Sequence, residues 1–235
     1  MDVTNRRKAI QQKDDFISVA SHELRTPVTS LQASLQLMQK MRDRLDSPIV
    51  PKLIQQANKS MDKMRALIDD LLNATNMTEG QLHLKRQWIN LRDLIEDCCQ
   101  EIRSDDSFDI QIVCEPDVKI FADEHKIEQV LVNFIGNAAK YAPESKEIKI
   151  CITQDPELTK VSVIDEGPGI PPAKIPYLFE RYYRVDNDGS QYSGLGLGLY
   201  ICSQIIYKHG GDIGVESELG RGSTFWFSLP ADKTT

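Results

Sequence analysis

Gly194-Leu195-Gly196-Leu197-Gly198 sets three glycines at alternate positions just before an apolar helical stretch. Such spacing bares backbone N–H groups at a helix N-terminus, a natural cradle for phosphate. No Gly-Lys-Ser/Thr follows, so this is not a Walker loop, and the context of a dinucleotide fold is missing. Asp165-Glu166-Gly167-Pro168-Gly169 ends a second apolar run; Gly167 and Gly169 allow close backbone approach to a ligand, and Asp165 offers a carboxylate to an exocyclic amine. Asn133 and Asn137 lie four apart, hence on one helix face, and interrupt an apolar helix. Buried amides need partners, and asparagine oxygen suits hard Mg²⁺ held mainly by phosphates. Lys140 and Tyr141, about one turn on, suit a phosphate and an aromatic base face. Arg181 and Arg184, in Phe179-Glu180-Arg181-Tyr182-Tyr183-Arg184, suit terminal phosphate charge. Each feature alone also has a bland reading: a turn, a flexible loop, a structural amide pair, a surface ion-pair cluster.

One further group stands far from these in sequence. His22 lies in FISVASHELRTPVTSL, residues 16–31, where apolar residues recur at seven-residue steps: Ile17, Leu24, Leu31, Met38, Leu45. Val28 and Leu35 fill the intermediate positions, giving a heptad seam for helix–helix packing. At about 100° per residue His22 points roughly 140–150° from the centre of that seam, toward solvent. Pro27 removes the bond that the Glu23 carbonyl would receive and predicts a bend just past His22. By itself, a lone histidine on a polar face is most simply a solvated residue.

The elements that must position these groups follow from periodicity. Residues 5–45 read as one helix, broken at Asp46-Ser47-Pro48; from Leu53 to Thr75 the heptads return, with Ile54, Met61 and Ile68 on one line and Ala57, Met64 and Leu71 on the other. Two such helices form a hairpin that cannot cover both its seams, which predicts pairing with a second copy as a four-helix bundle. Beyond Glu79-Gly80 the composition changes. Trp88–Asn90 reads as a strand, Leu91–Arg103 as a helix capped by Asn90, and 108–113 and 118–121 as strands. Residues 123–140 are helical by their 3/4 apolar spacing, and 147–153 pairs with 159–164 across the Asp155-Pro156 turn. A loop from Asp165 leads to a short helix near 174–179, a polar mobile lid over 184–196, a helix over 197–208, and strands at 212–216 and 224–229. This order predicts an α+β two-layer sandwich after a helical hairpin.

Composition bounds the rest. The 235 residues carry 28 basic and 35 acidic side chains, a net charge of −7, and no basic run, which argues against nucleic acid as a partner. No apolar stretch approaches the roughly 18–20 residues that span a bilayer, and no signal peptide is visible. The five cysteines lack metal-ligand spacing and predict reduced core thiols in a cytosolic compartment. A seam already running near residue 10 predicts a longer parent protein, with any membrane anchor upstream.

The ordered set of motifs resembles the two-component sensor histidine kinases. Ser21 through Pro27 looks like their H box, Asn133 through Tyr141 their N box, Asp165–Gly169 and Gly194–Gly198 their two glycine boxes, and Phe179–Arg184 their F box, together covering nearly the whole chain. Tyr182 stands where Phe is common, and Glu166-Gly167-Pro168 replaces the frequent Asn-Gly-x; neither change removes a functional group. The resemblance implies a dimerisation and phosphoacceptor hairpin over 1–78, a hinge over 79–87 and a Bergerat-type ATP-binding domain over 88–235. It implies that His22 accepts the γ-phosphoryl of ATP, Glu23 draws off the ring proton, and Thr26 orients water for phosphatase activity toward the partner. Asn137 would be the principal Mg²⁺ ligand, Asn133 and Lys140 would lie by metal and phosphates, Tyr141 against adenine, and Asp165 would read its amino group. Gly167, Gly169, Gly194, Gly196 and Gly198 would shape the nucleotide site, with Arg181 or Arg184 at the γ-phosphate. Implied partners are a second copy of the chain and the receiver domain of a response regulator, in the cytoplasm.

Overall fold

The structure, a computed structural model, describes residues 3–41, 47–78, 83–103, 108–113, 117–143, 145–185 and 195–231. Two long helices open the chain, α1 (Val3–Lys40) and α2 (Ile49–Thr78), antiparallel and packed along each other. After them come β1 (Gln87–Asn90), α3 (Leu91–Arg103), β2 (Asp109–Val113), β3 (Lys119–Ala122) and α4 (Glu124–Tyr141). The chain continues through β4 (Glu147–Gln154), β5 (Leu158–Asp165), a 3₁₀ turn at Ile175–Tyr177, α5 (Gly198–His209), β6 (Asp212–Glu218) and β7 (Gly222–Pro230). Asn90 caps α3 as expected, its Oδ1 accepting the Arg92 N–H at 3.1 Å.

The hairpin closes differently from its heptads. Its inward face is made of Ala20, Glu23, Pro27 and Ser34 on α1 and Ala57, Ser60 and Leu67 on α2, all buried. Gln56 Nε2 donates to Ser30 Oγ at 3.0 Å and fixes the register between the helices. Small residues let the two backbones approach closely, so the larger apolar side chains are left outside: Ile17, Val28, Leu35, Ile54, Met61 and Ile68 are all exposed in the single chain. The expected seam is therefore divided: these six residues face away from the hairpin's own contact, Ala57 belongs to that contact, and Leu24, Leu31, Met38, Met64 and Leu71 are half-buried. Leu45 lies outside the described residues.

Five strands form one sheet in the order β2-β4-β5-β7-β6, antiparallel except for the parallel β2–β4 pair; β1 and β3 make a separate antiparallel pair. Alternation along β4 and β5 buries Ile148, Ile150, Ile152, Val161 and Val163 on one face, where α3, α4 and α5 lie; the other face carries half-exposed or polar residues. This is the two-layer sandwich the sequence predicts. In α4, Ile127, Val130, Leu131, Phe134 and Ile135 have no exposed surface, and Phe134 meets Phe225 with ring centroids 5.6 Å apart. Cys98, Cys99, Cys151 and Cys202 are free thiols, and Cys114 lies outside the described residues. No helix among the described residues is long and apolar enough to cross a membrane.

A buried hub fastens α4 and α5 at their far ends. Asp123 caps α4: its Oδ1 accepts the Lys126 N–H at 3.2 Å and its Oδ2 the Lys85 N–H at 2.7 Å. The N–H of Asp123 donates to His209 Nε2 at 3.0 Å, and His209 Nδ1 lies 2.8 Å from the Ile205 carbonyl. Those two bonds require a neutral ring with its proton on Nδ1. Burial pushes the His209 pKa down from its usual 6.5. The unfolded chain thus binds the proton more readily, so the stability from the neutral ring is complete above about pH 6.5 and is lost as pH falls toward the lower folded value. His209→Gln, which cannot titrate, is expected to be less stable than wild type by about 1 kcal/mol at about pH 8. Urea midpoints followed down to about pH 5.5 should show that gap narrowing; a constant gap would contradict the neutral-ring assignment.

Candidate functional site

One cavity of about 320 Å³ opens between α4, α5 and the ends of β5 and β7. Its walls include Asn133, Asn137, Lys140 and Tyr141 from α4, Asp165, Pro168, Gly169 and Ile170 after β5, and Leu195, Gly196, Gly198 and Leu199 at the start of α5. Tyr183, Arg184 and Val185 complete it from the segment after the 3₁₀ turn, and Asp70 reaches it from α2. Groups from sequence positions far apart therefore converge on one space.

The amphipathic character of α4 explains the first wall. Its apolar face is locked on the sheet, which turns Asn133 and Asn137 toward α5. Asn137 Nδ2 donates to Asn133 Oδ1 at 3.1 Å, leaving the Asn137 carbonyl oxygen as a hard oxygen donor. Gly198 permits the approach of α5: a Cβ there would lie 2.2 Å from Asn133 Nδ2. Gly196 has φ +66°, and its carbonyl accepts the Tyr182 N–H at 2.9 Å. A Cβ at Gly196 would meet the Tyr182 and Tyr183 backbone at 2.8 Å, so the glycine box is fastened directly to the aromatic segment. The first N–H groups of α5, which have no helical partners of their own, are held at the cavity.

Charge is distributed unevenly around this space. Lys140 has its pKa lowered by burial first and then by Arg184 and Lys63, with Glu23 acting in the opposite direction. Its Nζ stands 4.9 Å from the centroid of the Tyr141 ring. Asp165 is buried, which pushes its pKa up, while hydrogen bonds from the backbone of Gly167 and Ser223 oppose the rise. The Gly167 N–H reaches Asp165 Oδ1 at 2.9 Å. The cavity thus has a carboxylate acceptor in one wall and two cations in others, suited to a ligand with an amine and a polyanion.

Not every sequence candidate lines the cavity. Gly167 stands behind Asp165 and orients it. Arg181 stacks on Tyr182 and Tyr200, its Cζ 4.8 and 5.8 Å from the ring centroids, and is absent from the wall that holds Arg184. Gly194 and most of the expected lid, residues 186–194, lie outside the described residues. His22 is exposed on α1, Thr26 Oγ1 donates to the His22 carbonyl at 3.2 Å, and Glu23 is buried on the hairpin's inward face. Asp70 was not anticipated: it is an acid in the α2 heptads, and its place at the cavity depends on how α2 meets α5. Burial, and next Asp69, push its pKa up to about 6.

Comparison with known proteins decides the family. Residues 12–80 match the His Kinase A (phospho-acceptor) domain, and residues 122–233 match the histidine kinase-, DNA gyrase B-, and HSP90-like ATPase. The sensor histidine kinase WalK of Bacillus subtilis is 34% identical over 235 residues, covering 97% of this chain and 38% of WalK. The chain belongs to the sensor histidine kinase family. This kinase chain spans well under two thirds of that relative's length. Among solved structures, full-length ShkA in complex with AMPPNP is similar with a TM-score of 0.66 and 26% identity over 94% of this chain and 47% of that one. ThkA, solved in complex with the response regulator protein TrrA, is similar with a TM-score of 0.64 and 26% identity over 97% of this chain and 64% of that one.

The packing of Gly198 on Asn133 generates a prediction. Gly198→Ala must displace the Asn133 amide, at a local cost of about 1–3 kcal/mol. Titration calorimetry with ATP and Mg²⁺ should show affinity falling by roughly tenfold or more, with the far-ultraviolet circular dichroism of the wild type retained. Unchanged affinity would mean that the α4–α5 approach does not shape the nucleotide site.

Proposed function

We propose that this chain is the core of a histidine autokinase that transfers the γ-phosphoryl group of ATP to His22, and from there to an aspartate of a response regulator. One observation carries the reading: asparagines, a lysine, a tyrosine, an acid and glycines of three separate motifs line a single cavity that suits a nucleotide. The parts are residues 1–78 as dimerisation and phosphoacceptor region, 79–87 as hinge and 88–235 as ATP-binding domain; residues 79–82 lie outside the described ones. The outward stripe of Ile17, Val28, Leu35, Ile54, Met61 and Ile68 supports pairing with a second copy as a four-helix bundle.

In this reading Asp165 accepts the adenine amino group, Tyr141 lies against the base, and the α5 N-terminus with Gly196 and Gly198 receives phosphates. Arg184 and Lys140 neutralise phosphate charge. Asn137 is fitted to hold Mg²⁺ through its carbonyl oxygen, beside Asn133 and Lys140; the ion would offset charge on the phosphates. In the transfer, the bond from the γ-phosphorus to the β-γ bridging oxygen breaks, its electron pair leaving with ADP, and a bond forms to a ring nitrogen of His22. Glu23 takes the ring proton. Because Glu23 faces inward here, that role requires its carboxylate to turn from the hairpin's inward face toward the His22 ring. In the same reading Thr26, one turn beyond His22 on an exposed face, acts on water during dephosphorylation of the regulator. ThkA, seen with a response regulator, supports that partner, and in this reading the core works in the cytoplasm.

Incubation with γ-labelled ATP and Mg²⁺ is expected to give an acid-labile, base-stable protein label. His22→Gln should reduce it to background, a loss of roughly a hundredfold or more, while ATP binding by calorimetry is unchanged. An acid-stable label, or one that survives the substitution, would reject the proposal.

A further inference from the structure

The hairpin and the nucleotide cavity of one chain are already docked on each other. Ala20 of α1 and Leu67 of α2 belong to the same apolar cluster as Ile201, Cys202 and Ile205 of α5, with Val19, Leu24 and Leu71 packed against it. Two groups about two turns apart on α2 bear on the site. Asp70 lines the cavity beside Asn133 and Gly198, and Lys63 is near enough to Lys140 to affect its charge. Asn133 and Lys140 are also seven residues apart, so each pair spans about 10 Å of helix.

The hairpin register brings the phosphoacceptor turn to the same place. Stepping seven residues from the Ser30–Gln56 bond along both helices sets Glu23 level with Lys63. Glu23 in turn acts on Lys140, one of the cavity's own side chains. Around α1, at 100° per residue, Val19 and Glu23 lie about 60° and 100° to one side of His22. Ile17, Val28 and Leu35, the stripe left for a second copy, lie about 120–140° to the other side. The cavity therefore stands on the flank of α1 nearer its own chain's His22 and away from the face that a second copy would cover.

Resting on the kinase reading above, we infer that phosphoryl transfer runs within one chain, from the ATP held in a chain's own cavity to that same chain's His22. The transfer is the one already written, P–O bond broken and P–N bond formed, with ATP as the only co-reactant. A turn of the catalytic region about α1, from the Glu23 flank to the His22 flank, separates the docked arrangement from the reactive one.

Mixed dimers test this. Two differently tagged chains, one His22→Gln and one Asn137→Ala, are co-expressed, purified by both tags and given γ-labelled ATP with Mg²⁺. The His22→Gln chain holds nucleotide without an acceptor, and its partner the acceptor without nucleotide, so no label is expected; label on the Asn137→Ala chain overturns the inference. The converse dimer pairs a wild-type chain with one carrying both substitutions. About half the label of the wild-type dimer is expected there, all on the wild-type chain, and none at all overturns the inference. A wild-type homodimer that takes no label removes the kinase reading itself, and this inference with it.

Discussion

The contact on which the site depends is the approach of α5 to α4 through Gly198. A single hydrogen there occupies the space where a Cβ would stand 2.2 Å from the Asn133 amide. With that approach, the N-terminal end of α5 and the oxygen donors of α4 share one cavity. Without it they face separate solvent. The approach is secured from behind by the packing of Ile127, Phe134, Ile201 and Ile205, all nearly or wholly without exposed surface, and at the far ends by the Asp123–His209 bond. The apolar core thus acts as the jig that brings two polar helix faces together around one cavity.

Electrostatics give the docked arrangement a limited hold. The chain is acidic overall, yet the cavity gathers Lys140 and Arg184, and Lys140 is destabilised as a cation by burial and by its like-charged neighbours. A polyanion in the cavity relieves that cost. Asp70 works in the opposite sense. With its pKa raised from 3.8 to about 6, its docked form is favoured below that range, and the advantage is lost as pH rises through it. At neutral pH the ionised Asp70 therefore weighs against the contact that Leu67 and Ala20 favour. An apolar patch opposed by a half-buried carboxylate suits a contact that has to open and close rather than a permanent one.

Periodicity made most of this fold legible. The 3/4 spacing of α4, the alternation of β4 and β5, and the Asn90 cap are local signals, and the structure repeats them within a few residues. The parallel β2–β4 pairing is a long-range choice that no local pattern records. The hairpin shows a different limit. Its heptads are real, but Ala20, Ser34, Ala57 and Ser60 close it, since small residues permit nearer backbones than the leucines of the seam. The glycine and asparagine motifs could be read because their chemistry needs fixed residue types at fixed spacing. Asp70, Lys63 and the His209 hub carry no such spacing, and their places follow from tertiary packing alone. Arg181 shows why a motif does not settle a role: two arginines three apart diverge, one stacking on tyrosines and one lining the cavity.

One helix turn in α1 has to satisfy three neighbours at once, and this accounts for where His22 stands. Ala20, Glu23 and Pro27 are taken by α2, and Ile17, Val28 and Leu35 form the apolar stripe whose burial a second copy would provide. At 100° per residue these two demands together take up about 140° of the circumference, on the side of the helix opposite His22. His22 occupies the arc that remains. Any group that reaches the imidazole, whether a nucleotide phosphate or an aspartate of a receiver, must approach along that arc, so the two visits exclude each other in time. In the proposed autokinase, separation of the kinase and transfer steps would then follow from the geometry of a single helix, the catalytic region leaving before a regulator enters.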